Sequence, residues 1–319
     1  MQIDRRFLYA GMFLLAIGGV VVAADLGLID TATLTDVLRL WPLAIVAVGV
    51  GIVLRRTQVG LASGMLAAAI PGLLIGGAFA VAPRYVGDCG ARGEPSLVAT
   101  DEGTFDAPAS VSLIAGCGSI TVTTEPGNDW RLAAANTAGR VPVVDSSARS
   151  LTVDSIGDND LSFLTGGRNT WDLSLPTSVM RVVSLEVNAG RSDVDLAGAR
   201  IERLVLTANA SDVVVDGSGA SVSNLSGKVR VGSLAIQLPE NDVTGSLDVG
   251  GGELRLCTPP GLGLRLTTKG MPREVVIDGL SQSGTEWESP DYASATHRAD
   301  LDVHVNFGVV RIDPMGGCK

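Results

Sequence analysis

The chain has 319 residues, of which 46% are hydrophobic and 4% aromatic, and its formal net charge is −10 at pH 7. The first 82 residues hold five basic and four acidic side chains, a net +1, which leaves −11 for the remainder. An acidic part without a basic stripe excludes the usual nucleic-acid-binding surface, and an anionic lipid surface would repel it.

Long apolar runs are concentrated before residue 82 and predict three membrane-spanning helices, at about residues 7–29, 37–54 and 59–82. A spanning helix needs about 20 largely apolar residues. The basic pairs Arg5-Arg6 and Arg55-Arg56 fall on one side of the bilayer in this arrangement, and basic residues favour the cytoplasmic side. We therefore predict a multi-pass protein of a bacterial plasma membrane, with a cytoplasmic N-terminus and an extracytoplasmic C-terminal domain.

An alternative interpretation of the first apolar run is a signal peptide with its cleavage site at Val22-Ala23-Ala24. However, the apolar run continues past Ala24, beyond the possible cleavage site, and a signal peptide does not need this extension. The length of the run therefore favours a membrane-spanning helix. Cleavage there would leave the predicted topology of the rest of the chain unchanged.

Small residues recur every four positions in the third predicted span and so lie along one face of a helix. Such a stripe lets a neighbouring helix approach closely in lipid. Packing among the three helices of this chain is the favoured interpretation, and docking of another copy or another protein is the alternative. The stripe consists of Gly60, Gly64, Ala68, Gly72 and Gly76.

The second predicted span opens with Trp41-Pro42-Leu43 and closes with Leu54-Arg55-Arg56. With the span before it, this region resembles the LiaF/LiaI-type membrane region of bacterial envelope-stress proteins, over about residues 5–56. LiaF-like proteins restrain sensor kinases, so the resemblance implies a kinase as a partner. Physically, Trp41 also suits the headgroup region and Pro42 suits a first helical turn.

The remaining chain is predicted to comprise a linker at 83–104, a β-domain at 105–313 and a tail at 314–319. Short strands with period-two alternation, separated by Gly, Asn and Ser, are most regular between Val182 and Leu256. Within this stretch, Ser211-Asp212-Val213 repeats Ser192-Asp193-Val194 nineteen positions on. The near-constant spacing predicts a mainly β, β-solenoid-like domain of stacked short strands, because one rung cannot bury its apolar side alone.

Four segments of this part resemble the toast-rack domain, the adhesin-type β-domain often found behind a LiaF-like membrane region. Each combines Gly with a short hydrophobic strand, or carries a Leu-Pro between blocks. The resemblance spans about residues 105–313 and implies a stack of β-rungs without known catalysis, in proteins of envelope stress or attachment. The segments are Ala115–Ile120, Leu173–Pro176, Val187–Gly190 together with Val194–Leu196, and Phe307–Ile312.

All four cysteines fall in the predicted extracytoplasmic part, where disulfides persist. Four cysteines allow three pairings, among which the sequence alone does not choose. We favour Cys89 with Cys117 near the membrane, and Cys257 with Cys318 tying the C-terminal tail to the stack. No Cys-x-x-Cys occurs, so neither a metal site nor a cofactor is expected.

No residue set predicts an enzyme. His297 falls in the predicted polar loop 281–297, and His304 alternates with apolar residues, so we expect both histidines to be solvated. A row of carboxylates such as Asp193, Asp195 and Asp212 suits a glycan-cleaving β-helix. The 4% aromatic content argues against that function, because it leaves few rings on which sugars could stack.

The sequence therefore predicts a non-enzymatic, membrane-anchored cell-envelope protein, either stress-sensing or regulatory. Its extracytoplasmic β-domain would couple to a membrane partner, such as a sensor kinase or another copy of the chain. The alternative is a structural or adhesive surface module that self-associates through its β-rungs. The lipid bilayer is an expected partner, and nucleic acid is not.

Overall fold

The computed structural model describes residues 5–25, 49, 65, 68–75, 93–106, 108–155, 167–270, 274–277, 279–313 and 318. They belong to two compact units, Met1–Tyr85 and Val86–Lys319. In the first unit, helix α1 spans Arg5–Asp25 and residues 68–75 are also helical. Within the described residues, no helix meets both the length and the apolarity that crossing a bilayer requires.

Helix α1 covers most of the first predicted span, whereas the second span and most of the third lie outside the described residues. Of the small-residue stripe, Ala68 and Gly72 are described, and Gly60, Gly64 and Gly76 are not. A Cβ placed on Gly72 would lie 2.6 Å from the carbonyl oxygen of Phe13 and 2.8 Å from Ala16 Cβ. Gly72 therefore packs directly on α1, which agrees with packing inside this chain.

The second unit consists of β-strands, seventeen of them in its described part. They are β1 Ser96–Thr104, β2 Ala109–Glu125, β3 Asp129–Asn136, β4 Val143–Ser147, β5 Ser150–Asp154, β6 Asn169–Pro176, β7 Val179–Asp195, β8 Arg200–Asp216, β9 Ser221–Gln237, β10 Val243–Val249, β11 Glu253–Cys257, β12 Leu262–Gly270, β13 Glu274–Ile277, β14 Ser281–Ser283, β15 Glu286–Glu288, β16 His297–Val305 and β17 Val309–Ile312. The predicted mainly β, solenoid-like architecture is confirmed.

Four strands, β2, β7, β8 and β9, are 17 residues long and pair in parallel along their length. Each bends near its middle, so that the first halves form one layer, sheet I, and the second halves form another, sheet II. Apolar side chains from both halves enter one core, for example Leu204 and Leu206 before the bend of β8 and Val213 after it. Each long strand is therefore one complete rung.

From β7 to β8 and from β8 to β9 the register advances by 21 residues, so the two Ser-Asp motifs, which lie nineteen residues apart, are not equivalent positions of successive rungs. In the parallel register, Gly190 pairs with Ser211, and Ser192 pairs with Val213. Both serines are buried, but at different places: Ser211 lies at the bend, and Ser192 lies two residues beyond it. Their hydroxyl groups donate to separate carbonyl oxygens, of Val187 at 2.9 Å and Ile120 at 3.2 Å.

Shorter strands complete the stack at both ends. On one side of β2, strand β5 extends sheet I and β6 extends sheet II. On the far side of β9 lie β10 and β11, then β16 and β17, and then β12 and β13. The last rung of the chain is thus inserted between two rungs that precede it in sequence.

Antiparallel strands cover the ends of the stack. Strand β3 pairs with β6 and β1 with β3 in sheet II, while β4 pairs with β5 in sheet I. At the other end, β15 pairs with β12 and with β14, which places a hairpin inside the predicted polar loop 281–297. The β-domain also begins earlier than predicted, because β1 at Ser96–Thr104 lies within the predicted linker 83–104.

Candidate binding surface

A concave groove of about 620 Å³ lies on the outer face of sheet II, across β1, β3, β6 and β2; we call it the sheet II groove. Each strand contributes side chains that point away from the core. Its lining consists of Thr100, Asp101, Glu102, Thr121, Thr123, Arg131, Leu132, Ala133, Asp172, Leu173 and Ser174.

The strand register explains why the outer surface of this part of the sheet is concave. Outward side chains of paired strands line up in two rows at right angles to the strands. The rows consist of Thr100, Ala133, Asp172 and Thr121, and of Glu102, Arg131, Ser174 and Thr123. Ala133 and Ser174 occupy central positions with short side chains, so the floor stays close to the backbone.

The groove carries a negative balance. The carboxylates that point outward into it are those of Glu102 and Asp172, against one guanidinium, that of Arg131. Asp101 pairs with the buried Leu132, so its side chain leaves β1 on the other face. Arg131 already faces two carboxylates, with Nη1 3.4 Å from Glu125 and Nε 3.9 Å from Glu102. The Oγ atom of Ser174 is buried and has no hydrogen-bond partner among the described residues.

A second polar cluster on sheet II joins β11 to β17. Glu253 accepts hydrogen bonds from Nε of Arg255 at 3.0 Å and faces Nε of Arg311 at 2.9 Å. The hydrogen bond from Arg255 lowers the pKa of Glu253, the charges of both arginines act in the same direction, and partial burial opposes them. The cluster links two neighbouring rungs electrostatically, and none of its three residues lines the sheet II groove.

On sheet I, Tyr292 fastens the segment between β15 and β16 to the outer face. Its hydroxyl donates to Asp300 at 2.7 Å, and the guanidinium of Arg265 lies 4.0 Å from the ring centroid. Arg298 donates through Nε to the carbonyl oxygen of Tyr292 at 3.1 Å. Burial and the bond to Asp300 raise the pKa of Tyr292. These contacts are all internal, so we assign them a structural role.

Among the described residues, the structure contains the predicted disulfide of the C-terminal tail. Cys257 and Cys318 are bonded, with their Cα atoms 5.8 Å apart. The pair packs on the outward-facing Ala235 and Val214, so the tail covers apolar side chains on sheet II. Cys117 is also disulfide-bonded; its predicted partner, Cys89, lies outside the described residues.

The three aspartates considered above as candidates for glycan cleavage each contact a neighbouring group. Asp193 pairs with Arg191 at 3.1 Å, Asp195 accepts from the backbone N–H of Ala197 at 3.0 Å, and Asp212 accepts from Ser233 at 2.7 Å. Within the described residues, no group of His, Cys, Asp and Glu side chains could hold a metal ion.

The two histidines lie on β16, where the structure leaves them exposed. His304 points outward from sheet I, as its alternation predicts. His297, at the start of the strand, lies with Nδ1 3.6 Å from Asp242. Neither lines the sheet II groove.

Residues 106–237 match the family model for the N-terminal domain of toast_rack, DUF2154. This part of the chain carries a toast-rack β-domain. The match begins just before β2 and ends with β9, so it includes all four long strands of the toast-rack domain. The predicted resemblance to this family is confirmed.

Three solved structures are similar to the toast-rack domain at low identity. A candidate cell adhesion protein from Clostridium sporogenes is 13% identical, with 69% of this chain and 99% of that chain covered and a TM-score of 0.45. A candidate adhesin from Bacteroides fragilis is 10% identical, covering 67% and 97%, with a TM-score of 0.31. A candidate adhesin from Parabacteroides merdae is 11% identical, covering 70% and 97%, with a TM-score of 0.30. No curated protein matches the chain.

The sheet II groove of the toast-rack domain was not predicted from the sequence. Thr121 and Asp172 face each other across β2 and β6, although many residues separate them in the chain. A clearer signal was available for the rung length. The turn Asp195-x-x-Gly198-Ala199 recurs as Asp216-x-x-Gly219-Ala220, at the observed spacing of 21 residues.

Proposed function

We propose that this chain is a non-enzymatic protein of the bacterial cell envelope, anchored in the plasma membrane by its N-terminal region. The toast-rack domain lies outside the membrane and acts as a rigid binding module. The N-terminal helices, at about residues 7–29, 37–54 and 59–82, pass its binding state to a membrane partner.

The observation that carries the proposal is the disulfide between Cys257 and Cys318. Disulfides persist in extracytoplasmic compartments and are rare in the bacterial cytosol. This bond joins the β11 rung to the tail and covers Ala235, so it is part of the folded domain. The bonded state of Cys117 supports the same location.

A binding role without catalysis fits the polar groups of the domain. The carboxylates most suggestive of chemistry, Asp193 and Asp212, are held by Arg191 and Ser233. The sheet II groove offers hydroxyl and carboxylate groups on a hydrogen-bonded sheet, which holds them in place. A rigid face of this kind suits recognition because little conformational entropy is lost on binding.

The proposed partner is a membrane protein, and the LiaF-like pattern of residues 5–56 supports a sensor kinase of the envelope-stress type. Gly72 packs on α1 in the same unit as the basic pair Arg5-Arg6. Small residues let helices approach and pack closely in lipid, and we propose that this packing carries the binding state to the partner.

Tagging in intact bacterial cells tests the location. An epitope tag after Lys319 should react with an external antibody, and a tag before Met1 should react only after the cells are opened. Purification from membranes of cells under cell-wall stress should recover a histidine kinase with the tagged chain. A C-terminal tag that is reachable only from the cytoplasm would overturn the proposal.

Self-association through the rungs is the second candidate. Apolar side chains on the terminal strands favour it, since Leu97 on β1 and Val143 on β4 are 66% and 59% exposed. However, β1 carries a bulge between Leu97 and Ala99 and the charges of Asp101 and Glu102, features that discourage edge-to-edge pairing. Crosslinking that traps dimers through β1 or β4 would favour this candidate.

A further inference from the structure

The floor of the sheet II groove is built for contact with a polar, extended ligand. Its hydroxyl groups come from Thr121 and Thr123 on β2 and from Thr100 on β1, whereas the Oγ atom of Ser174 on β6 is buried beneath the floor. Ala133 lies between Thr100 and Asp172 in the same row and leaves the sheet backbone close to the surface. A ligand lying there meets hydrogen-bonding groups from four strands.

The negative charge of the groove favours a cationic ligand. Asp172 lies in the middle of the floor, and Glu102 lies on the β1 side. The single lining cation, Arg131, is already between Glu102 and Glu125. A lysine or arginine of a ligand would therefore find carboxylate acceptors without competition from a second protein cation in the lining.

The dimensions suit a short stretch of peptide. Four neighbouring strands span about 14 Å at a spacing of about 4.8 Å, and an extended peptide rises about 3.3 Å per residue. About four residues therefore cross the groove, and its volume of about 620 Å³ lies within the usual range for ligand sites. No aromatic ring lines it, which favours a peptide over an amino sugar, since sugars stack on such rings.

We propose that the sheet II groove binds an extended peptide segment that carries lysine or arginine, with its cationic group on Asp172. The inference rests on the proposed role of the toast-rack domain as a binding module and names the chemistry of its partner. The hydroxyl groups of Thr100, Thr121 and Thr123 hold the peptide backbone across the strands.

Fluorescence anisotropy with the full chain in detergent micelles tests this directly. The probe is a dye-labelled, end-blocked Lys-Thr-Lys-Thr-Lys peptide, and its Glu-Thr-Glu-Thr-Glu analogue is the charge control. The lysine peptide should bind and the glutamate peptide should not. Raising the salt from about 0.1 M to about 1 M shortens the Debye length from about 10 Å to about 3 Å and should weaken binding.

Two variants and two matched controls locate the site. Asp172→Asn should weaken binding about tenfold, the usual loss for one hydrogen bond to a charged group, and Ala133→Phe should abolish it by filling the floor. Asp302→Asn and Ser246→Phe make the same changes at exposed positions on the outer face of sheet I and should bind the probe like the unchanged chain.

Equal binding of both peptides, or an unchanged affinity in Asp172→Asn, would overturn the inference. Displacement of the lysine peptide by a glucosamine oligomer at lower concentration would also overturn it, in favour of an amino-sugar ligand. None of these results depends on the side of the membrane on which the C-terminal tag is exposed. The peptide-binding inference can therefore be overturned while the proposed membrane location stands.

Discussion

At the scale of single residues, glycines at the bends allow the long strands to pass from sheet I to sheet II. Gly190 has a φ of +110°, and a Cβ placed on it would overlap the carbonyl oxygen of Gly118 on the next rung. Gly232 stands in the same relation to Ser211. The bends of β7 and β9 therefore need both the left-handed backbone and the missing side chain. Ser211 is the exception, and its hydroxyl is turned to the carbonyl oxygen of Val187.

Replacing Gly190 by alanine should destabilise the β-domain by more than about 4 kcal/mol, because backbone strain and a clash with backbone act together. Gly127→Ala is the matched control, since Gly127 has a φ of +124° but open space around it. This substitution should lower the free energy of unfolding by about 1–3 kcal/mol, from backbone strain alone. Urea unfolding measures both, and equal losses would show that the packing at the bend contributes nothing.

At the scale of elements, the sequence predicted where β-strands occur, but it did not predict that neighbouring short strands form one continuous long strand. Asn188-Ala189-Gly190 interrupts the period-two pattern and looks like a turn between two short strands. In the structure, Ala189 and Gly190 remain paired with Cys117 and Gly118, so the chain changes layer without leaving the hydrogen-bonded ladder. Local pattern cannot distinguish such a bend from a turn, because the difference lies in the pairing with other rungs.

The order of the strands in the stack could not be predicted from the sequence either. Strand β16 pairs with both β10 and β12, although it follows both in the chain. The sheet II groove depends on the same kind of long-range pairing, because Asp172 and Thr121 meet only when β6 stacks on β2. The bond between Cys257 and Cys318, in contrast, is one of the two pairings favoured above, although the sequence alone does not choose among the three possible pairings.

Glu253 gives the contact between β11 and β17 a pH dependence. Its pKa is lower in the folded chain than in the unfolded chain, so its ionised form stabilises the fold above the unfolded pKa, and this contribution is lost as the pH falls through the folded pKa. Glu253→Gln should lower the free energy of unfolding by about 1 kcal/mol at neutral pH, because the group is partly exposed.

Below the folded pKa of Glu253, the two chains should have the same stability, since the carboxyl group is then neutral in both states. Urea midpoints across the acidic range measure the convergence. Glu240→Gln removes an exposed carboxylate from a turn and should have little effect at either pH. A loss in Glu253→Gln that persists at the lowest pH would assign the effect to packing.

At the scale of the whole β-domain, stability follows from contacts between neighbouring rungs. Strands β7, β8 and β9 are consecutive in the chain and each lies directly on the next, so the centre of the stack forms from local segments. The far end is different, because β12 and β13 reach the stack only through β16 and β17. In such one-dimensional arrays, each rung depends mainly on its neighbours.

Deleting residues 297–319 should therefore loosen one end of the domain and leave its centre folded. Without β16, strand β12 keeps only its short pairing with β15, and its amide protection against hydrogen exchange should fall at least tenfold, about 1.4 kcal/mol. Strands β7 and β8 keep both neighbours and should retain their protection. The double variant Cys257→Ala/Cys318→Ala loses the crosslink but keeps the rung, so it separates the two contributions. Loss of protection throughout β7 and β8 in the truncated chain would mean that the stack unfolds as one unit, and that the inserted rung holds the entire domain together.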